Sequence, residues 1–211
     1  MKIEIWSDVM CPFCYIGKRR LEQALEQIHG SEAYSIEWKS FQLDPDLVAN
    51  GKENPYEYLA DRKGISYEES VKMHENVVNA AREVGLDYRF DKAVVANSLD
   101  AHRLSHLAKQ HGVGNALEER LFQAYFTEGR DIADHATLIE LGVEVGIPQA
   151  DIDTLFSGDQ FLADVQRDIA EAQQIGVRGV PFFVFDRKYA VSGAQPVEAF
   201  LETINAVKAG N

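Results

Sequence analysis

The sequence predicts an α/β protein in which a β-α-β opening and a β-β-α close flank a long, all-helical middle. Three observations predict it. Strand-like alternation at 2–6 (KIEIW) and 34–43 (YSIEWKSFQL) brackets a helical run. From about Asn54 to Gly176 the spacing is helix-like almost throughout, and β character then returns in VPFFVFDRKYAVSG ahead of a last amphipathic helix.

Each element follows from its residues. Ile3 and Ile5 share one face of the first strand. Ile16, Leu21, Leu25 and Ile28 then fall close to helical spacing, and Gly30 is expected to stop that helix. Ile36 and Trp38 share a face of the second strand, which DPD breaks, so a right-handed crossover should join two parallel strands. In the middle, PYEYLADRKG, SYEESVKMHENVVNAAREVG, NSLDAHRLSHLAKQHG, NALEERLFQAYFTEG, HATLIELGVEVG and DQFLADVQRDIAEAQQIG read as helices. Gly64, Gly85, Gly112, Gly129, Gly146 and Gly176 are their expected ends. Ser66 and Asn97 are candidate N-caps, each with an oxygen for free backbone N–H groups. AREVGLDYRFDKAVVANS reads as a polar loop through Phe90. Phe182–Phe185 and Tyr189–Ser192 form a hairpin hinged at Asp186-Arg187-Lys188, and the final helix begins at Pro196. The expected division is a discontinuous sheet-bearing domain, 1–53 and 160–211, and a helical insertion, 54–159, across which the strand halves must pair.

The chain has 211 residues, 45% apolar and 26% charged, which suits one large domain or a small one with an insertion. Its formal charge of −13 argues against nucleic acid or an anionic membrane surface as partner, since both repel a negative body. No apolar run approaches the length of a bilayer span. The opening Met-Lys-Ile-Glu-Ile-Trp has no basic region, apolar stretch or cleavage site, so the expected location is the cytoplasm. The oligomeric state is left open.

Two cysteines, Cys11 and Cys14, are all the chain has, and they flank Pro12 and Phe13 at the strand–helix junction. In a reducing compartment such a pair is a poor candidate for a structural staple. As a zinc site it supplies only half a ligand set, and His29, His74, His102, His106, His111 and His135 show no paired zinc spacing, so no metal is expected. As core residues the two thiols would need no particular spacing. A redox pair needs this one. The strand delivers Cys11 to a helix N-terminus, where unpaired N–H groups and the helix dipole favour a thiolate, and Cys14 lies one turn on, ready to resolve a mixed disulfide. Pro12 suits an early helix position. Cys11 is expected below the ordinary thiol pKa of about 8.5, moderately so because Phe13 neither donates a hydrogen bond nor carries charge, and Cys14 higher because it is more buried. Trp6 and Phe13 are candidate apolar walls beside the thiols.

The segments SDVMCPFCYIGK, NSLDAHRL, LFQAYFTEGRDIAD and GVPFFVFDRKYAVSGAQP span nearly the whole chain. Together they resemble the DsbA-like branch of thioredoxin-fold oxidoreductases, and within it the FrnE-like subgroup. The resemblance implies a thioredoxin fold interrupted by a helical domain, dithiol–disulfide exchange at Cys11 and Cys14, and a cis-proline loop at Val180-Pro181 opposite them. The residues alone make a weaker case for that loop: X–Pro bonds are trans by default, but a proline opening a strand belongs at its first residue or at an edge. A cis bond there would turn the Val180 backbone toward Cys11 for pairing with an extended peptide. Pro12, Phe13, Val180 and Pro181 are therefore the expected substrate-binding residues.

Other candidates are weighed against plainer roles. Arg178, three residues before Pro181, is a candidate thiolate-tuning cation, or simply a solvated loop residue. Asp8 reads as a turn former. His102, in a segment the family repeats, is a candidate groove residue or an ordinary hydrogen-bonded helix histidine. Phe122, Tyr125 and Phe126, at helical spacing, most simply form core.

The leading expectation is a cytoplasmic oxidoreductase acting on protein, peptide or low-molecular-weight disulfides, as reductase or isomerase, with no bound cofactor and with glutathione as a candidate co-substrate. One alternative is a glutathione-dependent enzyme of the 2-hydroxychromene-2-carboxylate isomerase or kappa-class transferase type. Those relatives commonly carry serine at the Cys11 position and need no Cys14. The other alternative is a non-enzymatic redox sensor or chaperone-like binder.

Overall fold

The computed structural model describes residues 1–28, 34–48 and 54–210. Gly30 and His29 lie outside the described residues, as does the expected boundary near residue 53. Strands β1 (Lys2–Ser7), β2 (Ser35–Ser40), β3 (Phe182–Phe185) and β4 (Tyr189–Ser192) form one sheet of order β2-β1-β3-β4. β1 and β2 are parallel, with Ile3 opposite Ile36 and Ser7 opposite Ser40. β3 runs antiparallel to β1 and to β4. In the hairpin turn, Asp186 and Arg187 both take positive φ, which matches the twist of tight β-hairpins.

Helix α1 (Pro12–Glu26) crosses from β1 to β2, and α9 (Val197–Ala209) closes the chain, with Pro196 at its N-cap. These two helices pack over Ile3, Ile5, Phe183 and Phe185, whose side chains alternation sends to one face; the Phe183 and Phe200 rings meet edge to face at 4.9 Å. The opposite face, carrying Trp6 and Val184, is covered by α8 (Leu162–Gln174) through Ala172 and by Val177 beyond it. Asp168 on α8 fastens this layer. Its carboxylate accepts from Lys39 Nζ (3.1 Å) and the Ser40 amide (3.0 Å), and its carbonyl accepts from Trp6 Nε1 (3.0 Å).

The middle of the chain folds as α2 (Pro55–Lys63), α3 (Tyr67–Glu83), α4 (Leu99–Gln110), α5 (Gly114–Gln123), a π-helical turn at Ala124–Glu128, α6 (His135–Glu144) and α7 (Gln149–Phe156). Ser66 and Glu69 form a reciprocal capping box at the start of α3. The six glycines expected at helix ends all have positive φ. One cluster of buried side chains runs without a break from the sheet into these helices. The chain thus has a thioredoxin fold interrupted by a helical insertion.

Three local expectations are corrected. Helix α7 lies outside the expected elements: at eight residues it is barely two turns long, and Ile152, Leu155 and Phe156 show its helical spacing only once. The N-cap of α4 is Ser98, and Asn97 instead accepts from the Leu99 amide at 2.9 Å. The segment after α3 is an irregular loop but not a polar one: Leu86, Tyr88, Phe90, Ala93, Val95 and Ala96 are all buried.

Candidate active site

The loop after β1 is built around Asp8. Its carbonyl accepts from the Cys11 amide (3.0 Å), and its fully buried carboxylate accepts from the amides of Met10 (3.3 Å) and Leu43 (2.7 Å). Asp8 therefore makes turn hydrogen bonds, as its position suggested. This loop places Cys11 at the N-cap of α1 in extended conformation, followed by Pro12 in the first turn. No side chain caps the helix. The dipole and the first-turn N–H groups are thus left to favour negative charge on a nearby sulfur.

Cys11 and Cys14 are free thiols one helical turn apart, the Cys14 amide donating to the Cys11 carbonyl at 3.0 Å. Cys14 is 1% exposed, and burial pushes its thiol well above the ordinary range. The Cys11 hydrogen bond and charge add to the rise; the Ser7 hydroxyl and the Asp8 amide oppose it. Cys11 is itself only 4% exposed, but it borders a cavity of about 300 Å³. That cavity is walled by apolar side chains, among them Phe13, Leu59, Met73, Val77, Phe90 and Phe126. Its polar members are few: Tyr58, Tyr125, Lys63, and His74, which burial holds below its usual pKa despite the nearby Ser70 carbonyl. Phe13 is half exposed beside Cys11.

Across from the thiols, the Val180–Pro181 bond is cis, and Cys11 Sγ donates to the Val180 carbonyl at 3.4 Å. Pro181 is buried against α1 at Gly17, where a Cβ would lie 2.9 Å from Pro181 Cγ and 3.0 Å from Phe183 Cζ. Gly17 is therefore what allows α1 to approach this loop so closely. Tyr88, from the buried loop after α3, donates its hydroxyl to the Pro12 carbonyl at 2.7 Å and stacks on Phe126 at 4.6 Å. The insertion thus holds the turn between the two cysteines directly.

Cys11, Cys14, Pro12, Phe13, Val180 and Pro181 converge here, and the remaining candidates fall elsewhere. Trp6 does not wall the thiols: it projects from the opposite face of the sheet, under α8. His102 does not enter the groove above the cysteines either. It is buried with Nε2 3.4 Å from Asp8 Oδ1, and it lines a separate polar cavity with Ser40, His106 and Glu118. At that distance the Asp8 contact is an ion pair rather than a formed hydrogen bond, and Nε2 has no other partner among the described residues. Burial works against charge on His102, but Asp8 outweighs it and the pKa is raised. Arg178 is exposed and does not border the cavity. Phe122 is core, whereas Tyr125 and Phe126, on the π-helical turn, are core residues that also wall the cavity.

Sequence reasoning missed Gly17 and Tyr88. A glycine inside a helix one turn after Cys14 was a usable signal, because it costs about 1 kcal/mol against alanine and so calls for a packing reason. For Tyr88, the alternation of Leu86, Tyr88 and Phe90 hinted at burial but at no partner.

Residues 2–205 match the DSBA-like thioredoxin domain family. The chain belongs to that family. A solved structure of a probable DsbA oxidoreductase from Streptomyces coelicolor is 34% identical and superposes with a TM-score of 0.94, covering 100% of this chain and 91% of that one. The uncharacterized protein YwbO of Bacillus subtilis is 26% identical over 206 residues, 96% of this chain and 95% of its own. The cytosolic disulfide reductase DsbM from Pseudomonas aeruginosa, solved with GSH, is 21% identical with a TM-score of 0.68, covering 98% of this chain and 100% of that one, a likeness of fold. The DsbA-like family is one of thiol–disulfide oxidoreductases. No described helix is long and apolar enough to cross a membrane.

Proposed function

We propose that the protein exchanges disulfides through Cys11 and Cys14, acting as a reductase or isomerase on protein and peptide disulfides within the FrnE-like branch of its family. The observation that carries this reading is the placement of Cys11: at the N-cap of α1, against the Val180 carbonyl, and bordering an apolar cavity, with Cys14 buried behind it. The Cys11 thiolate attacks a substrate disulfide, forming a mixed disulfide and releasing one substrate thiolate with the electron pair of the broken bond. Cys14 then displaces the second substrate sulfur. The protein ends with a Cys11–Cys14 disulfide, and the substrate gains two electrons and two protons. Attack also frees the Val180 carbonyl from the Cys11 thiol, leaving it to accept from the backbone of an extended peptide.

The apolar walls favour a disulfide flanked by apolar side chains over a small polar one. Glutathione remains a candidate for returning the protein to its dithiol, in keeping with the GSH carried by DsbM. The test is catalysed reduction of insulin with glutathione as donor, together with Cys14→Ser. Wild type should turn over, and Cys14→Ser should accumulate a covalent Cys11–substrate adduct visible by mass. Absence of turnover in wild type would leave only a redox-switched binder. Full activity of Cys14→Ser would point to the glutathione-dependent isomerase or transferase chemistry instead.

A further inference from the structure

Asp8 fastens more than its own turn. Its Oδ1 accepts from the Met10 amide at 3.3 Å, its Oδ2 from the Leu43 amide at 2.7 Å, and its carbonyl from the Cys11 amide at 3.0 Å. Met10, Cys11 and Leu43 all border the apolar cavity, so one residue ties the loop carrying the first thiol to the segment beyond β2. The carboxylate is fully buried, and a buried charge needs an opposite charge as well as hydrogen bonds. His102 of α4 is the base that meets it: Nε2 lies 3.4 Å from Oδ1, in a residue 3% exposed. No other cation-forming group lies within ion-pairing distance of Asp8 among the described residues.

We propose that His102 is a positioning residue for Cys11: as imidazolium it is the counter-ion of the Asp8 carboxylate, and the pair sets the loop that presents the thiol. The inference rests on the oxidoreductase reading above, since Cys11 must react for its placement to matter. The other charges around His102 are matched elsewhere. Lys39 and His106 meet Asp168 at 3.1 and 3.2 Å, and Lys109 pairs with Glu37. Glu118 on α5 accepts from Ser105 at 2.6 Å, and burial pushes its carboxyl up, away from charge. Tyr58 and Tyr125, whose phenols burial also pushes up, are further titratable neighbours of Asp8. Burial opposes charge on His102 and Asp8 outweighs it, so the imidazole stays charged past its ordinary 6.5. A raised histidine contributes fully below its unfolded pKa and loses that contribution as pH rises through its folded value. The hold on the Cys11 loop should weaken over that range.

The test compares wild type with His102→Gln, which keeps an N–H at the tip but carries no charge. The readout is the rate of the first thiolate released from Ellman's reagent by attack of Cys11, followed across pH. At about pH 6 wild type should exceed the variant roughly fivefold, the low end of coupling between separated groups. Above the pH at which His102 loses its proton, the two rates should converge. Lost packing alone would lower the variant's rate by the same factor at every pH. A ratio independent of pH therefore overturns the role of His102 and leaves the exchange activity standing. Should His102→Gln fold poorly, Cys11→Ser, which removes the thiol's own titration, carries a second measurement by NMR. There the His102 imidazole and the Met10 and Leu43 amides should titrate with one midpoint above 6.5, and amides indifferent to the imidazole overturn the proposal. A wild-type protein that releases no thiolate overturns the exchange reading and this role with it.

Discussion

Gly17→Ala tests how the site is assembled, because two known effects of that change oppose each other. In an open helix, alanine in place of glycine stabilises by about 1 kcal/mol. Here the added methyl would sit 2.9 Å from Pro181 Cγ and 3.0 and 3.4 Å from two Phe183 ring carbons. Neither neighbour gives way easily. The proline ring is rigid, and Phe183 is fully buried against Phe200. Overpacking a filled core costs about 1–3 kcal/mol, so the net expectation is a loss of roughly 0–2 kcal/mol rather than a gain. Relief must come from α1 and the Pro181 loop moving apart, and this opens the 3.4 Å contact between Cys11 Sγ and the Val180 carbonyl. Urea denaturation measures the first consequence and the rate of Cys11 with Ellman's reagent the second. A variant that is stabilised by about 1 kcal/mol and exchanges at the wild-type rate would show that α1 does not press on the Pro181 loop as described.

Two further expectations concern the contacts between α1 and the insertion. Tyr88→Phe removes the hydroxyl that donates to the Pro12 carbonyl and should lower the unfolding free energy by about 1 kcal/mol; an unchanged denaturation midpoint would mean that the bond contributes nothing. Glu119 on α5 receives Lys18 Nζ and Tyr15 Oη, each at 2.6 Å, along with Arg19. Burial opposes its charge, but these three partners outweigh it and hold its carboxyl at about 2 against an ordinary 4.5. A depressed carboxylate stabilises the fold fully above its unfolded pKa and loses that contribution as pH falls, here from about 4.5 toward 2. The shift corresponds to about 3 kcal/mol, which partial exposure should screen to roughly 1–2 kcal/mol. Wild type should therefore exceed Glu119→Gln in stability at pH 7 and approach it at pH 3, and a gap independent of pH would refute the linkage.

The two thiols proposed to react were legible in the sequence because they lie within one four-residue stretch. Cys-Pro-Phe-Cys behind an alternating strand places two thiols at a helix N-terminus before any tertiary contact is known. The strands and the glycine helix ends were legible for a related reason: side-chain alternation and the left-handed backbone are local properties. The groups that shape the chemistry are assembled over long sequence distances and leave no period. The apolar cavity draws its walls from α2, α3, the irregular loop after α3 and the π-helical turn, and nothing in those stretches announces that they share a space. Trp6 is the instructive error. The alternation that put Ile3 and Ile5 on the face covered by α1 had already sent Trp6 to the other face, so the parity of the strand argued against a place beside the thiols. Strand parity is thus the local rule that places this tryptophan under α8, on the face away from the helix that begins at the cysteines.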